Sequence, residues 1–382
     1  MSLVLTEEQE SIRRLARSFV QERMPLSHFR ALRDRRDAVG FSREVWKEMA
    51  GLGLSAVAVP EAWGGGGLGC AELGLVLEEC GRCLAPTPLV STMVLGANAL
   101  LLGGTEAQKR ATLPGVCTGD QIVTLAHDEG TRHARYRSAT IAALASSAVG
   151  GWRLSGEKTM VLDGHVADAF VVAARTRGAE SDREGLTLFL VPRGTQGVSV
   201  TRLALVDSRN AARIRFDGVP VREEDVIGAV DRGADVLDPL LDRAAACLAA
   251  EMLGGAQEAF DQTIAYLKTR KQFGVAIGSF QALKHRAAQL FAELELSRSI
   301  VLAALRALDE GNSDAPKLAS AAKARLNDTM LLVANEAIQM HGGIGVTDEL
   351  DVGFFLKRAR VAGMTFGDAP FHRDRFARAL GY

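Results

Sequence analysis

Ile12, Leu15, Ala16, Phe19 and Val20 recur at three- and four-residue spacing behind Thr6-Glu7-Glu8-Gln9, a capping pattern that opens a helix. Further helices are predicted over residues 42–52, 70–84, 88–102 and 105–113, separated by glycine and proline signals such as Pro60-Glu61-Ala62-Trp63-Gly64. From residue 122 the period shortens. Runs over 122–126, 169–174, 186–191, 198–203 and 212–216 predict short strands with no long helical stripe between them, as in an antiparallel barrel or sandwich. Helical periodicity returns over 238–269, 279–310 and 314–340 and reads as an antiparallel bundle, followed by a short linker at 364–368 and a final basic helix. The order helix, β, helix defines an α+β chain: an N-terminal helical domain at 1–120, a middle β domain at 121–232 and a C-terminal helical bundle at 233–382.

Composition narrows the function classes. A chain of 382 residues exceeds a typical single domain, and 45 Lys plus Arg against 46 Asp plus Glu leave no electrostatic footprint for nucleic acid or an anionic membrane. Small molecules or other subunits are the expected partners. The apolar run 93–102 is too short to span a bilayer, and the sequence enters its first capped helix without a signal or transit pattern, so a soluble cytoplasmic protein is expected. Among Cys70, Cys80, Cys83, Cys117 and Cys247 there is only a lone CxxC, set in an apolar helical pattern, which reads as core rather than as a redox or zinc site. Gly64 to Gly67 precede no Gly-Lys-Ser/Thr and read as a flexible loop. His127, His165 and His341 show no metal-ligand spacing, and no Gly-x-Ser-x-Gly elbow occurs, so metal and covalent hydrolytic chemistry are set aside.

Two stretches carry candidate chemistry. Gln339-Met340-His341-Gly342-Gly343 ends an Ala-rich helix in paired glycines, which let backbone amides approach an anion or a planar ring. Arg270-Lys271-Gln272-Phe273-Gly274, with Gln281 eight residues past Phe273, sets a planar cation for a pyrophosphate beside an aromatic face and further donors. Helix capping by Arg270 and corner packing by Phe273 explain the second stretch equally well.

With Val59-Pro60-Glu61-Ala62-Trp63-Gly64-Gly65 and the turn Thr365-Phe366-Gly367, these residues resemble the acyl-CoA dehydrogenase family of flavoproteins over essentially the whole chain. The resemblance implies FAD as cofactor, an acyl-CoA substrate oxidised to a trans-2-enoyl thioester, an electron-transfer flavoprotein as acceptor, and a homo- or hetero-oligomer, usually a tetramer. It assigns Arg270, Phe273, Gln281, Gln339, Gly342 and Gly343 to the ADP part of FAD across a subunit interface. That assignment accounts for a flavoprotein without a GxGxxG fingerprint.

The chain departs from the family pattern at two places. The loop that normally bonds the flavin ring reads Ala126-His127-Asp128-Glu129-Gly130-Thr131-Arg132, and in Gly156-Glu157-Lys158-Thr159-Met160-Val161-Leu162-Asp163 the usual ring-covering aromatic is Met160 and the usual hydroxyl is Leu162. Methionine and leucine pack on a ring but replace no hydrogen bond, each worth about 1 kcal/mol. Phe366 stands where relatives carry the glutamate that removes the α-proton. Asp368, Asp242 and Glu251 are the alternative catalytic carboxylates: Asp368 reads foremost as a helix cap, and the other two flank Ala244, where some relatives place the base. Three readings follow: an acyl-CoA dehydrogenase with an unusual base, acting on fatty or steroid side-chain thioesters; a non-catalytic subunit completing a paralogue's FAD site; and a flavin-dependent oxygenase on the same fold. Loss of the ring contacts with retention of Arg270 favours the second over the other two.

Overall fold

The computed structural model describes residues 4–130, 135, 142–146 and 151–382. The helices before the sheet are α1 (Glu7–Arg23), α2 (Leu26–Asp34), α3 (Arg43–Gly51), α4 (Cys70–Arg82), α5 (Asn98–Gly103) and α6 (Glu106–Cys117), with a π-helical stretch at Val90–Ala97 running into α5. The strands are β1 (Val123–Ala126), β2 (Ala142–Ser146), β3 (Gly151–Leu162), β4 (Ala169–Arg175), β5 (Leu186–Pro192), β6 (Val198–Ala204), β7 (Asn210–Arg222) and β8 (Val226–Ile227). Then come α7 (Ala234–Thr269), the short pair β9 (Lys271–Gln272) and β10 (Val275–Ala276), and α8 (Gln281–Asp309), α9 (Ala315–His341), α10 (Val352–Met364) and α11 (Ala369–Ala379). The predicted starts hold where a cap fixes them. Thr6 and Gln9 form a reciprocal capping box, as do Thr105 and Gln108, and Ser42 caps α3.

The chain folds into two compact units: Met1–Ala31 with Cys70–Ala85 and Ala245–Tyr382, and Leu32–Gly69 with Pro86–Ala244. The second unit holds the sheet, whose path is β6-β7-β3-β2-β4-β5-β8, with β1 beside β4. Pairing is mostly antiparallel, but β1 runs parallel to β4 from Val123↔Ala169 to Ala126↔Val172, and β2 meets β4 in parallel at Ala142↔Arg175. At these two places the pairing departs from the expected antiparallel pattern: β1 enters from a helix, not a hairpin turn, and nothing local dictates its direction. Strand β3 was missed because its register against β7 shifts twice, between Leu154 and Gly156 and between Lys158 and Val161, which breaks the period-two signal. Both faces of β4 are buried, and its sequence is apolar from Ala169 to Ala174.

The first unit is a helical bundle built on α7, α8 and α9. Its tightest point is the crossing of α4 and α7. A Cβ at Gly254 would lie 1.8 Å from the carbonyl oxygen of Glu78, and one at Gly81 would lie 2.0 Å from that of Glu251. Only glycine allows the two backbones to approach so closely. The predicted consequence is that Gly254→Ala forces α4 off α7 and destabilises the protein by about 3 kcal/mol. Urea unfolding checks it; a loss under about 0.5 kcal/mol would show that the crossing yields.

Candidate active site

The end of α7 and the end of α9 are joined by one ring stack. Tyr266 and His341 lie 4.4 Å apart between centroids at 29°, and the His341 Nδ1–H donates to the Ala337 carbonyl at 2.7 Å. One turn beyond Tyr266 comes Arg270; directly after His341 come Gly342 and Gly343. The intervening loop is a two-residue hairpin in which Lys271 pairs with Ala276 and Gln272 with Val275. Phe273 and Gly274 form its turn, both left-handed at φ 52° and 81°. The Phe273 ring is 90 % exposed and meets Phe280 edge-on at 6.1 Å. A Cβ at Gly278 would lie 2.9 Å from the Leu267 carbonyl, so the loop folds back on α7.

Arg270, Gln281, Gln339, Gly342 and Gly343 are all exposed, and Arg270 has no ion-pair partner among the described residues. Gly342 is left-handed at φ 67°, and nothing stands within 4 Å of a Cβ built on it or on Gly343. An exposed guanidinium, open glycine amides and an uncovered aromatic face fit the anionic, planar end of a flavin dinucleotide. Two cavities in this unit, of about 360 and 190 Å³, are lined by none of these residues nor by the three catalytic candidates.

The carboxylates expected to replace the base are each engaged. Asp368 accepts the Phe371 amide at 2.9 Å as the cap of α11. In the second unit Asp242, on α7, receives the Arg135 guanidinium at 3.0 Å, and Arg135 also holds Asp238. In the first unit Glu251 is buried and paired with the equally buried Arg358 of α10 at 3.2 Å. Ala244 is fully buried.

Phe366 is buried, with its backbone left-handed at φ 59°. The turn around it is fixed by residues that sequence reasoning missed. Lys323 of α9 is wholly buried, and its Nζ donates to Asn327 Oδ1 at 2.6 Å, the Ala362 carbonyl at 2.9 Å and the Gly367 carbonyl at 3.1 Å. The Phe366 carbonyl accepts from His372 Nε2 at 3.0 Å. Burial pushes the Lys323 ammonium down to about 7, against the pull of Asp368. Its signal was present: Lys323 shares a helical stripe with Ala319, Leu326 and Met330, where a charged side chain stands out.

The segments expected at the flavin ring lie in the second unit. Met160 occupies the second bulge of β3 at φ 53° and is 36 % exposed, whereas Leu162 is buried and its carbonyl accepts from Thr124 at 2.8 Å. Buried Lys158 holds the preceding loop through the His127 carbonyl at 3.0 Å and the Glu129 carboxylate. Desolvation brings its ammonium down to about 8, while Glu129 opposes the fall. Thr131 and Arg132 lie outside the described residues.

Comparison with known proteins places this arrangement. The N-terminal, middle and C-terminal acyl-CoA dehydrogenase domain models match residues 6–120, 129–219 and 231–381. Mitochondrial isovaleryl-CoA dehydrogenase of Pongo abelii is 30 % identical over 98 % of this chain and 89 % of its own. Among solved structures, a Tcur3481-Tcur3483 steroid ACAD variant is 33 % identical with TM-score 0.86 over 98 % of each chain. The ChsE4-ChsE5 complex of Mycobacterium tuberculosis is 28 % identical with TM-score 0.89, covering 100 % of this chain and 99 % of that one. The chain belongs to the acyl-CoA dehydrogenase family, and its chemistry is the oxidoreductase chemistry of that family. No helix among the described residues is long and apolar enough to cross a membrane, and no cluster of three metal-binding side chains occurs among them.

Two stability measurements test the buried charges. Arg358→Met leaves the Glu251 carboxylate buried without its cation and should cost about 3–5 kcal/mol, most of it regained in the double variant Glu251→Met/Arg358→Met; additive losses would refute the pairing. For Lys323 the unfolded chain keeps the proton to about 10.4 and the folded chain only to about 7, so its stability contribution rises with pH across that window. Between pH 7 and 9 the wild type should therefore gain about 2–3 kcal/mol relative to Lys323→Met. Parallel urea curves that keep a constant gap would exclude it.

Proposed function

We propose that the chain serves FAD-dependent α,β-dehydrogenation of an acyl-CoA thioester as one subunit of a heteromeric enzyme. Arg270, Phe273, Gln281, Gln339, Gly342 and Gly343 would hold the ADP part of FAD at a subunit interface. What supports this is that Phe366 stands where the resemblance puts the base, and that Asp242, Glu251 and Asp368 are each engaged in an ion pair or a cap. Bound FAD supplies the acceptor for the β-hydrogen. What these residues contribute is position and charge: Arg270 neutralises phosphate, Phe273 offers a stacking face, and the Gly342 and Gly343 amides are open to an anion.

Exposed apolar side chains beside the cofactor residues, Phe273, Val275, Phe280, Phe291, Ile344 and Val346, support an oligomer that covers them. The two-component name of ChsE4-ChsE5 supports a heteromer. An electron-transfer flavoprotein is the acceptor proposed for the reduced cofactor.

The test is flavin content, native mass and octanoyl-CoA oxidation of the chain expressed alone and with a base-bearing paralogue. Turnover is expected only in the mixed assembly, and Arg270→Ala should lower its flavin content at least tenfold. Stoichiometric FAD and turnover by the chain alone, abolished by Glu251→Gln, would overturn the heteromer and make Glu251 the base.

A further inference from the structure

The turn between α10 and α11 is braced far beyond what a connection needs. Phe366 and Gly367 are left-handed at φ 59° and 116°, and a Cβ on Gly367 would lie 2.6 Å from Phe371 Cδ1 and 2.7 Å from His372 Nε2. A left-handed phenylalanine costs about 1–2 kcal/mol and persists only where its surroundings dictate it. Here three side chains do so. Lys323 binds the Ala362 and Gly367 carbonyls, Asn327 Nδ2 adds a contact to Gly367 at 3.3 Å, and His372 takes the Phe366 carbonyl. The Lys323 ammonium has three hydrogens and three acceptors, so its hydrogen-bonding capacity is filled by this turn and by Asn327, the residue that also braces it.

We propose that Lys323 is a positioning residue: its ammonium group, anchored on α9, holds residue 366 in the left-handed conformation that presents the Phe366 ring to the acyl thioester. The thioester contact rests on the function proposed above; the brace does not. A methionine of similar length would fill the same space but donate no hydrogen bond, and the Ala362 carbonyl would lose the side-chain donor that Lys323 gives it. The groups facing the ammonium are Asn327 on its own helix and, from the turn and α11, the carbonyls already named and the Asp368 carboxylate; His372 faces the same turn.

The test places 4-fluorophenylalanine at position 366 of the full assembly and follows its 19F resonance. A single resonance is expected that shifts on adding octanoyl-CoA and titrates near neutral pH, where burial sets the Lys323 proton. In Lys323→Met the titration should vanish, the resonance should broaden or split, and octanoyl-CoA should bind about tenfold more weakly. His372→Gln and Asp368→Asn should keep the titration. A titration that survives Lys323→Met, or disappears with His372→Gln, overturns the assignment, as does a ring signal indifferent to octanoyl-CoA when calorimetry shows the thioester bound. If calorimetry shows no thioester binding while the Lys323-dependent titration is present, the brace is upheld and the acyl-CoA reading falls.

Discussion

The crossing of α4 over α7 is the constraint from which the rest of the helical unit follows. Because Gly81 and Gly254 let the two backbones touch, neither helix has room for side chains at the contact. Glu251, whose own carbonyl lies against Gly81, is itself buried. A buried carboxylate needs a partner, and Arg358 provides it from α10. That pair fastens α10 to α7, and α10 ends in the turn that carries Phe366. A glycine on one helix thus bears, through one ion pair, on the placement of a residue more than a hundred positions away in sequence. The Glu251 charge is thereby engaged inside the bundle, where it pairs with Arg358.

Buried lysines do comparable work in both units. Lys158 ties the 127–129 loop to β3, and Lys323 ties the 362–367 turn to α9. In each case the ammonium satisfies carbonyls of a segment that leaves regular secondary structure, where no neighbouring strand or helix turn would do so. Burial lowers both ammonium groups toward neutrality, opposed by Glu129 at Lys158 and by the charge of Asp368 at Lys323. Removing either side chain would take a charged donor from a buried carbonyl oxygen, which costs more than the loss of an apolar contact.

What the sequence made legible was local. The capping box at Thr6, the helix start at Thr105, the Asp368 cap and the helix end at His341 depend on residues within four positions of one another, and local pattern announces them. The long helices followed from apolar period. Strand β3 escaped because two register shifts and the polar stretch Ser155 to Lys158 disrupt alternation, and the parallel pairing of β1 escaped because direction is set by non-local packing. Arg135, Arg358 and Lys323 escaped for a related reason: Arg358 finds Glu251 across 107 positions and Arg135 finds Asp242 across the same span, so no window of sequence contains both partners. Lys323 and Arg358 each left a trace, as a charge on an apolar helical stripe.

Backbone conformation adds a criterion that neither motif nor burial supplies. Eight non-glycine residues with positive φ occur among the described residues, and four of them, Met160, Asp163, Phe273 and Phe366, fall in the three segments that chemistry had singled out. Phenylalanine and methionine gain nothing locally from the left-handed region, unlike asparagine or aspartate, so the surroundings must impose it. At Phe273 a hairpin turn does so; at Met160, a bulge; at Phe366, Lys323, Asn327 and His372. Three different devices maintain strain at three separated positions. Strain of this kind persists only where the surroundings over-determine it, and at Phe366 side chains from both α9 and α11 converge on one turn to do so.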